Sequence, residues 1–211
     1  MSKSAKSLLF FVVLAANILS VQFDWNIGIY FTKPLLIPLL GWMLAGSDFK
    51  KTYWVWLALF FSWVGDMLLM LPQDLFLVGL VSFLIGHLFY IRHFWDEWDR
   101  AIRPMQPLYL LGVVLYLIGL MAILYPTLGD MRVPVIVYGV IISSMLFLAL
   151  QTGTSGYAIG ARLFVLSDSI LAINKFGNSF LLAGTMIMLT YGLAQYFIVT
   201  GATREEKVEG V

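Results

Sequence analysis

Eight runs of predominantly apolar residues divide this chain, at roughly 7–22, 27–46, 52–71, 75–93, 107–126, 132–151, 157–173 and 179–200. Each is close to the ~20 residues an α-helix needs to cross ~30 Å of hydrocarbon. Inside a bilayer every backbone N–H and C=O must be satisfied by the protein itself, so runs of this length and polarity can span it only as helices. Composition agrees, with 61% of the 211 residues hydrophobic and 12% charged, against ~25% charged in an ordinary soluble domain. The expectation is an all-α integral membrane protein, a bundle of eight transmembrane helices forming one domain over 1–211. Residues 202–211 are expected to be a flexible cytoplasmic tail.

The breaks between runs are short except at 94–106, which carries Asp96, Glu97, Asp99, Arg100 and Arg103. The Met1–Ser20 stretch, with Lys3 and Lys6 ahead of an apolar run, has the outline of a signal peptide. Leu14-Ala15-Ala16 is a poor cleavage site, so the stretch reads as the first membrane helix, uncleaved. With the N-terminus in the cytoplasm, the inner side holds Lys3, Lys6, Lys50, Lys51, Arg92, Arg100, Arg103, Arg204 and Lys207, and the outer side Arg132 and Lys175. That bias predicts both termini inside. Pro34 and Pro38 fall within the second run and should free carbonyls that neighbouring groups re-satisfy. Gly156 and Gly160 form a small-xxx-small pair suited to close helix contact. No internal repeat is evident, which speaks against an inverted-repeat transporter.

A net charge of +1 offers no field for nucleic acid. Cysteine is absent and there are two histidines, so disulfides, thiolate chemistry and a His-rich metal site are not expected. Neither a metal nor a cofactor is called for.

Most of the functional information lies in five ionisable residues inside the apolar runs: Lys33, Asp66, His87, Arg162 and Asp168. A charge at mid-bilayer costs at least ~2.5–3.5 kcal/mol, so these groups should face one another or a wet cavity. Depth follows from ~1.5 Å per residue. Lys33 comes out ~9 Å below the outer face, and Asp66, Asp168 and His87 ~21, ~16 and ~12 Å above the inner one. Four groups on four helices thus share a band ~10 Å deep, which predicts an intramembrane polar cavity. Arg162 lies lower, near the inner boundary, where it can snorkel or bind a lipid phosphate. Lys33 is also placed to snorkel, and His87 to be a neutral core residue. An aspartate is too short for that escape. Ser62 and Asp66 share one helical face, and Tyr191 and Gln195 another. Ser167 precedes Asp168. These serines read equally as packing or backbone-bonding residues.

Two carboxylates in different surroundings, one near a lysine, suit a general acid and a general base. No nucleophile elbow and no Gly-rich phosphate loop is present. Hydrolysis with water as nucleophile therefore fits, and so does a small proton-coupled lipid or solute transporter using the same embedded charges. An intramembrane aspartyl protease fits poorly: Trp63-Val64-Gly65-Asp66 lacks the first glycine of Gly-x-Gly-Asp, and Ser167 stands where a tyrosine is expected.

The ordered elements Thr32-Lys33-Pro34-Leu35, Phe61-Ser62-Trp63-Val64-Gly65-Asp66, Gly86-His87-Leu88-Phe89-Tyr90, and Gly160-Ala161-Arg162-Leu163-Phe164-Val165-Leu166-Ser167-Asp168 with Leu171-Ala172 resemble the YhhN family of membrane proteins. The resemblance implies an eight-helix architecture and, as in vertebrate members, a lysoplasmalogenase. Such an enzyme hydrolyses the vinyl-ether bond of a lysophospholipid drawn from the bilayer, releasing a fatty aldehyde and a glycerophosphoethanolamine or glycerophosphocholine. It also implies that Asp66 and Asp168 are the catalytic residues. Lys33, His87, Ser62, Ser167, Tyr191 and Gln195 are then expected around them, with Arg162 a candidate for the phosphate. The expected setting is a bacterial inner membrane. The nearness of Lys33 casts Asp66 as the base and Asp168 as the acid.

Overall fold

The structure is a computed structural model that describes residues 2–71, 73, 75–100 and 102–203. Eight α-helices follow one another: α1 (Lys3–Gln22), α2 (Asn26–Leu44), α3 (Phe49–Met70), α4 (Phe76–Glu97), α5 (Pro107–Leu124), α6 (Arg132–Gln151), α7 (Ser155–Phe176) and α8 (Ala183–Ala202). Two 3-10 turns, Tyr125–Thr127 and Gly129–Met131, join α5 to α6. Every helix is long and apolar enough to cross a membrane. The protein is an integral, multi-pass membrane protein. Arg204, Lys207 and the rest of the expected tail from 204 onward lie outside the described residues.

Helix ends depart from the apolar runs in both directions: polar residues continue α1, α3 and α4 into the interface, whereas α8 begins at Ala183 although its apolar run opens at 179. Hydropathy reports lipid contact, whereas a helix continues as long as its backbone is hydrogen-bonded. Ser2 caps α1, its Oγ accepting from the Ala5 amide at 3.2 Å, so the helix starts at Lys3. Asp48 does the same for α3, accepting from the Lys50 amide at 2.9 Å. α4 runs on through Glu97, which takes Asp96 and Glu97 out of the expected 94–106 loop. There Arg92 pairs with Asp96 one turn on, at 2.5 Å. The remaining connection is braced by Trp98 Nε1, which donates to the Arg103 carbonyl at 2.8 Å.

Seven helices form a ring in the order α1, α2, α3, α4, α6, α7, α8, closed by α8 packing on α1 and α2. α5 lies outside the ring against α6 and α7 and buries little beyond Val113 and Leu124. Lys3, Lys6, Lys50, Lys51, Arg92, Arg100 and Arg103 gather at the ring end that carries the N-terminus, and Arg132 and Lys175 at the other.

One of the two prolines of α2 is accommodated as expected. Pro38 cannot donate to the carbonyl of Pro34, and that carbonyl instead accepts from Trp63 Nε1 of α3 at 3.0 Å. The bond ties α2 to α3 beside Lys33 and Asp66. The closest seam is α7 on α8. A Cβ at Gly160 would sit 2.8 Å from the Ala194 carbonyl oxygen and 3.0 Å from the Ile198 amide nitrogen, and one at Gly156 2.8 Å from the Phe197 carbonyl oxygen. Because backbone atoms stand there beside the Ile198 side chain, whose Cγ1 would be 2.6 Å from a Cβ at Gly160, Gly160→Leu should force the helices apart and lower stability by about 1–3 kcal/mol. A thermal melt of the detergent-solubilised protein would register this, and an unchanged melt would show that the seam yields freely.

Candidate active site

Asp66 and Asp168 line one cavity of about 60 Å³ among α3, α4, α6, α7 and α8. It lies toward the ring end opposite the N-terminus, where α3 and α7 finish and α4 and α8 begin. Its apolar wall includes Leu80, Phe83, Leu171 and Met188. Gly65 helps to shape it, since a Cβ there would lie 2.6 Å from the Phe83 ring. Such a space holds a few water molecules beside two carboxyl groups.

The two carboxyl groups have different partners. Asp66 is buried, with Oδ1 3.3 Å from Lys33 Nζ and Oδ2 accepting from Tyr191 Oη at 2.6 Å. Lys33 reaches it from α2, two helices meeting at the depth that the residue count along each had implied. Asp168 accepts a short hydrogen bond from Tyr138 Oη of α6, and no ion pair to it occurs among the described residues. One aspartate is thus held by a cation and a phenol, the other by a phenol.

Tyr191 and Gln195 act in series behind Asp66. Gln195 Nε2 lies 3.5 Å from Tyr191 Oη, and Gln195 Oε1 accepts from Tyr90 Oη at 2.5 Å. All three are buried, so the row is a rigid polar spine running from Asp66 toward the N-terminal end. Ser167 lines the cavity and donates to the Ile187 carbonyl at 3.1 Å, which locks it onto α8.

Other expected residues stand apart. Ser62 is buried at the α3–α4 seam, where a Cβ at Gly86 would come within 3.4 Å of its Oγ. His87 is buried one layer below the cavity, edge-on to Phe164 at 4.7 Å and to Tyr138 at 5.3 Å. Neither of its ring nitrogens has a hydrogen-bond partner among the described residues. Arg162 is exposed, six residues before Asp168 on the N-terminal side, and lines none of the cavities at the aspartates.

Tyr138 and Tyr90 carry hydrogen bonds that the sequence reading did not assign. Tyr138 lies six residues into α6, so the count along the helix puts it at the same depth as Lys33. A tyrosine at that level was a usable signal. Asp168 and Tyr138 also line a second, apolar cavity of about 40 Å³ between α5, α6 and α7, with Leu117, Leu120, Met121 and Ile142 among its walls. Tyr116 of α5 and Ser169 of α7 hydrogen-bond at its edge.

Known proteins bear on this arrangement. The sequence matches the YhhN family over residues 28–202. The chain belongs to the YhhN family. The human protein named lysoplasmalogenase TMEM86B is 38% identical, the match covering 87% of this chain and 78% of that protein. A protein of Mycobacterium tuberculosis named lysoplasmalogenase is 33% identical, over 81% of this chain and 68% of its own. Human lysoplasmalogenase TMEM86A is 32% identical, over 82% and 73%. No solved structure matches. The resemblance carried by the Lys33, Asp66, His87 and Asp168 motifs is borne out, and with it the assignment to a family of enzymes.

Proposed function

We propose that this YhhN-family protein is a lysoplasmalogenase, hydrolysing the vinyl-ether bond of a lysoplasmenyl lipid to a fatty aldehyde and a glycerophosphoethanolamine or glycerophosphocholine. The observation that carries the proposal is a single intramembrane cavity lined by two aspartates with unlike partners. The names of the relatives supply the substrate class.

The chemistry follows from the two surroundings. Asp168, which has no cation beside it among the described residues, gives its proton to the β-carbon of the vinyl ether. An oxocarbenium ion forms, as in glycoside hydrolysis. Asp66, ionised against Lys33, stabilises the cation and takes a proton from the water that adds to the α-carbon. The hemiacetal then collapses. Its hydroxyl proton returns to Asp168, its carbon–oxygen bond to glycerol breaks, and the glycerol oxygen takes the proton held by Asp66. Both carboxyl groups end as they began.

The apolar cavity beyond Asp168 suits the alkenyl chain, because it continues directly from the acid and is walled by leucines and a methionine of α5. α5 buries few residues, so little packing opposes its displacement when a chain enters from the bilayer. The setting proposed is a bacterial inner membrane with both termini cytoplasmic. The gathering of lysines and arginines at the N-terminal end supports that sidedness.

Purified protein incubated with lysoplasmenylethanolamine should release a long-chain aldehyde. In D2O the aldehyde, trapped at once by reduction, should carry one deuterium on the carbon next to the carbonyl. Aldehyde without that label would rule out protonation at carbon, and no aldehyde from a folded protein would rule out the activity.

A further inference from the structure

We propose that a cleft between α4 and α5, floored by α6, holds the alkenyl chain of the substrate and measures its length. This rests on the lysoplasmalogenase reading and adds to it which chains are turned over.

The apolar cavity beside Asp168 has a continuation. Leu117 of α5 and Ser143 of α6 line it, and the same two residues line a cleft of about 330 Å³ that runs on toward the ring end carrying the N-terminus. Leu110 and Val114 wall this cleft on α5 and Trp95 on α4, while Val140, Phe147 and Leu148 of α6 floor it. Ser144 adds no free polar group, since its Oγ donates to the Val140 carbonyl at 2.8 Å. In the opposite direction the space is filled. Leu124, Leu128 and Val135 form a buried cluster there, with Met131, Ile173 and Phe176 packed on it. The edge toward α7 is fastened by the hydrogen bond between Tyr116 and Ser169. A hydrocarbon chain that leaves Asp168 thus finds its room down the cleft, through a neck between Leu117 and Ser143.

The dimensions match a lipid chain. From Tyr138, which bonds to Asp168, to Leu148 is ten residues of α6, ~15 Å along the axis. Leu120 to Leu110 is the same distance on α5. An extended chain with C–C bonds of ~1.5 Å advances ~1.25 Å per carbon. The cleft then takes about twelve carbons beyond the two of the vinyl group, about fourteen in all. Ser143 stands five residues along α6 from Tyr138, ~7.5 Å, so the neck is reached near the eighth carbon. At the lower end the Arg100 guanidinium lies 3.8 Å from the centroid of a Trp95 ring, which sets the floor at the polar boundary where tryptophans collect. A longer chain has to turn out into lipid on the side where Leu110 and Val114 are exposed. Ser143 itself is buried, and its Oγ has no hydrogen-bond partner among the described residues, so a bulkier apolar side chain there breaks no bond.

Two blocks at different depths test the ruler. Lysoplasmenylethanolamines with alkenyl chains of eight, twelve and sixteen carbons are assayed for aldehyde in the same uncharged detergent micelles. Each variant is compared with wild type at each length, so that partitioning into the micelle cancels. Ser143→Leu closes the neck. It should leave kcat/KM on the eight-carbon substrate within about twofold and lower it about tenfold at sixteen carbons, because displaced carbons enter detergent and what is lost is packing and the positioning of the vinyl ether. Leu110→Trp fills the lower end from an exposed position, where a larger apolar side chain meets lipid and the fold is not strained. It should spare the two shorter chains and slow the sixteen-carbon one about threefold. Leu115→Trp, exposed on α5 outside the cleft, should leave all three lengths unaffected. If the cleft variants slow every length equally, or none, the ruler is overturned. If Leu115→Trp also changes the length profile, the effect belongs to α5 as a whole, and the ruler is overturned as well. A wild-type protein that releases aldehyde at no chain length overturns the lysoplasmalogenase reading itself and this proposal with it.

Discussion

Asp168→Asn is expected to lower aldehyde release by about 10³-fold, within the range that a positioned proton donor contributes. The substitution keeps the shape of the side chain and an oxygen that accepts from Tyr138, but removes the proton that must reach the β-carbon. Asp66→Asn should cause a loss of similar size for a different reason. An amide still accepts from Tyr191, yet it neither takes a proton from water nor stabilises an oxocarbenium ion through charge. Both variants should fold, because each keeps its phenol partner. The checks are aldehyde release from lysoplasmenylethanolamine and a thermal melt of the same preparation. Near-full activity in either purified variant would sink the two-carboxylate mechanism.

The second large effect concerns stability. Lys33→Met strips the cation from an aspartate whose side chain is 3% exposed and leaves it with the Tyr191 hydroxyl. Removing one partner of a buried pair costs about 3–5 kcal/mol, because the remaining charge is uncompensated. The lysine is 14% exposed, so the lower end of that range applies here. Adding Asp66→Asn to Lys33→Met should recover most of the lost stability while leaving the protein inactive. A double variant as unstable as Lys33→Met alone would mean that the methionine disturbs packing and that the charge is not the cause. The two measurements together separate what the pair does for the fold from what Asp66 does for the reaction.

Much of the fold was legible because the bilayer imposes a length. All eight helices coincide with the apolar runs to within about four residues; capping or interfacial residues extend α1, α3 and α4 where hydropathy ends too soon, α7 runs on to Phe176, and α8 begins only at Ala183 although its run opens at 179. Depth was legible for the same reason. Counting residues put Lys33 and Asp66 at one level, and they form an ion pair there. The freed carbonyl in α2 was foreseen as well, though not that Trp63 would be its donor. Direction around a helix was less legible, and each of these residues had two readings. Ser62 faces the α3–α4 seam, His87 an aromatic layer and Arg162 the exterior, which are the packing, core and snorkelling alternatives. Tyr138 and Tyr90 went unassigned because a tyrosine in an apolar run is neither charged nor rare.

By itself the sequence determined the solvent of each segment, the depth of each polar group and the identities of those that could not face lipid. Aspartate is too short to reach an interface from mid-bilayer, so Asp66 and Asp168 had to be internal in any arrangement of the helices. The tertiary structure alone decided that both line one cavity, that Tyr138 belongs to one and Lys33 with Tyr191 to the other, and that α5 stands outside the ring. The reason is dimensional. Hydropathy and rise per residue locate a group along the membrane normal. Position within the plane is set by which helix faces fit, as where Gly160 admits the Ala194 carbonyl, and that fit is a property of two surfaces together.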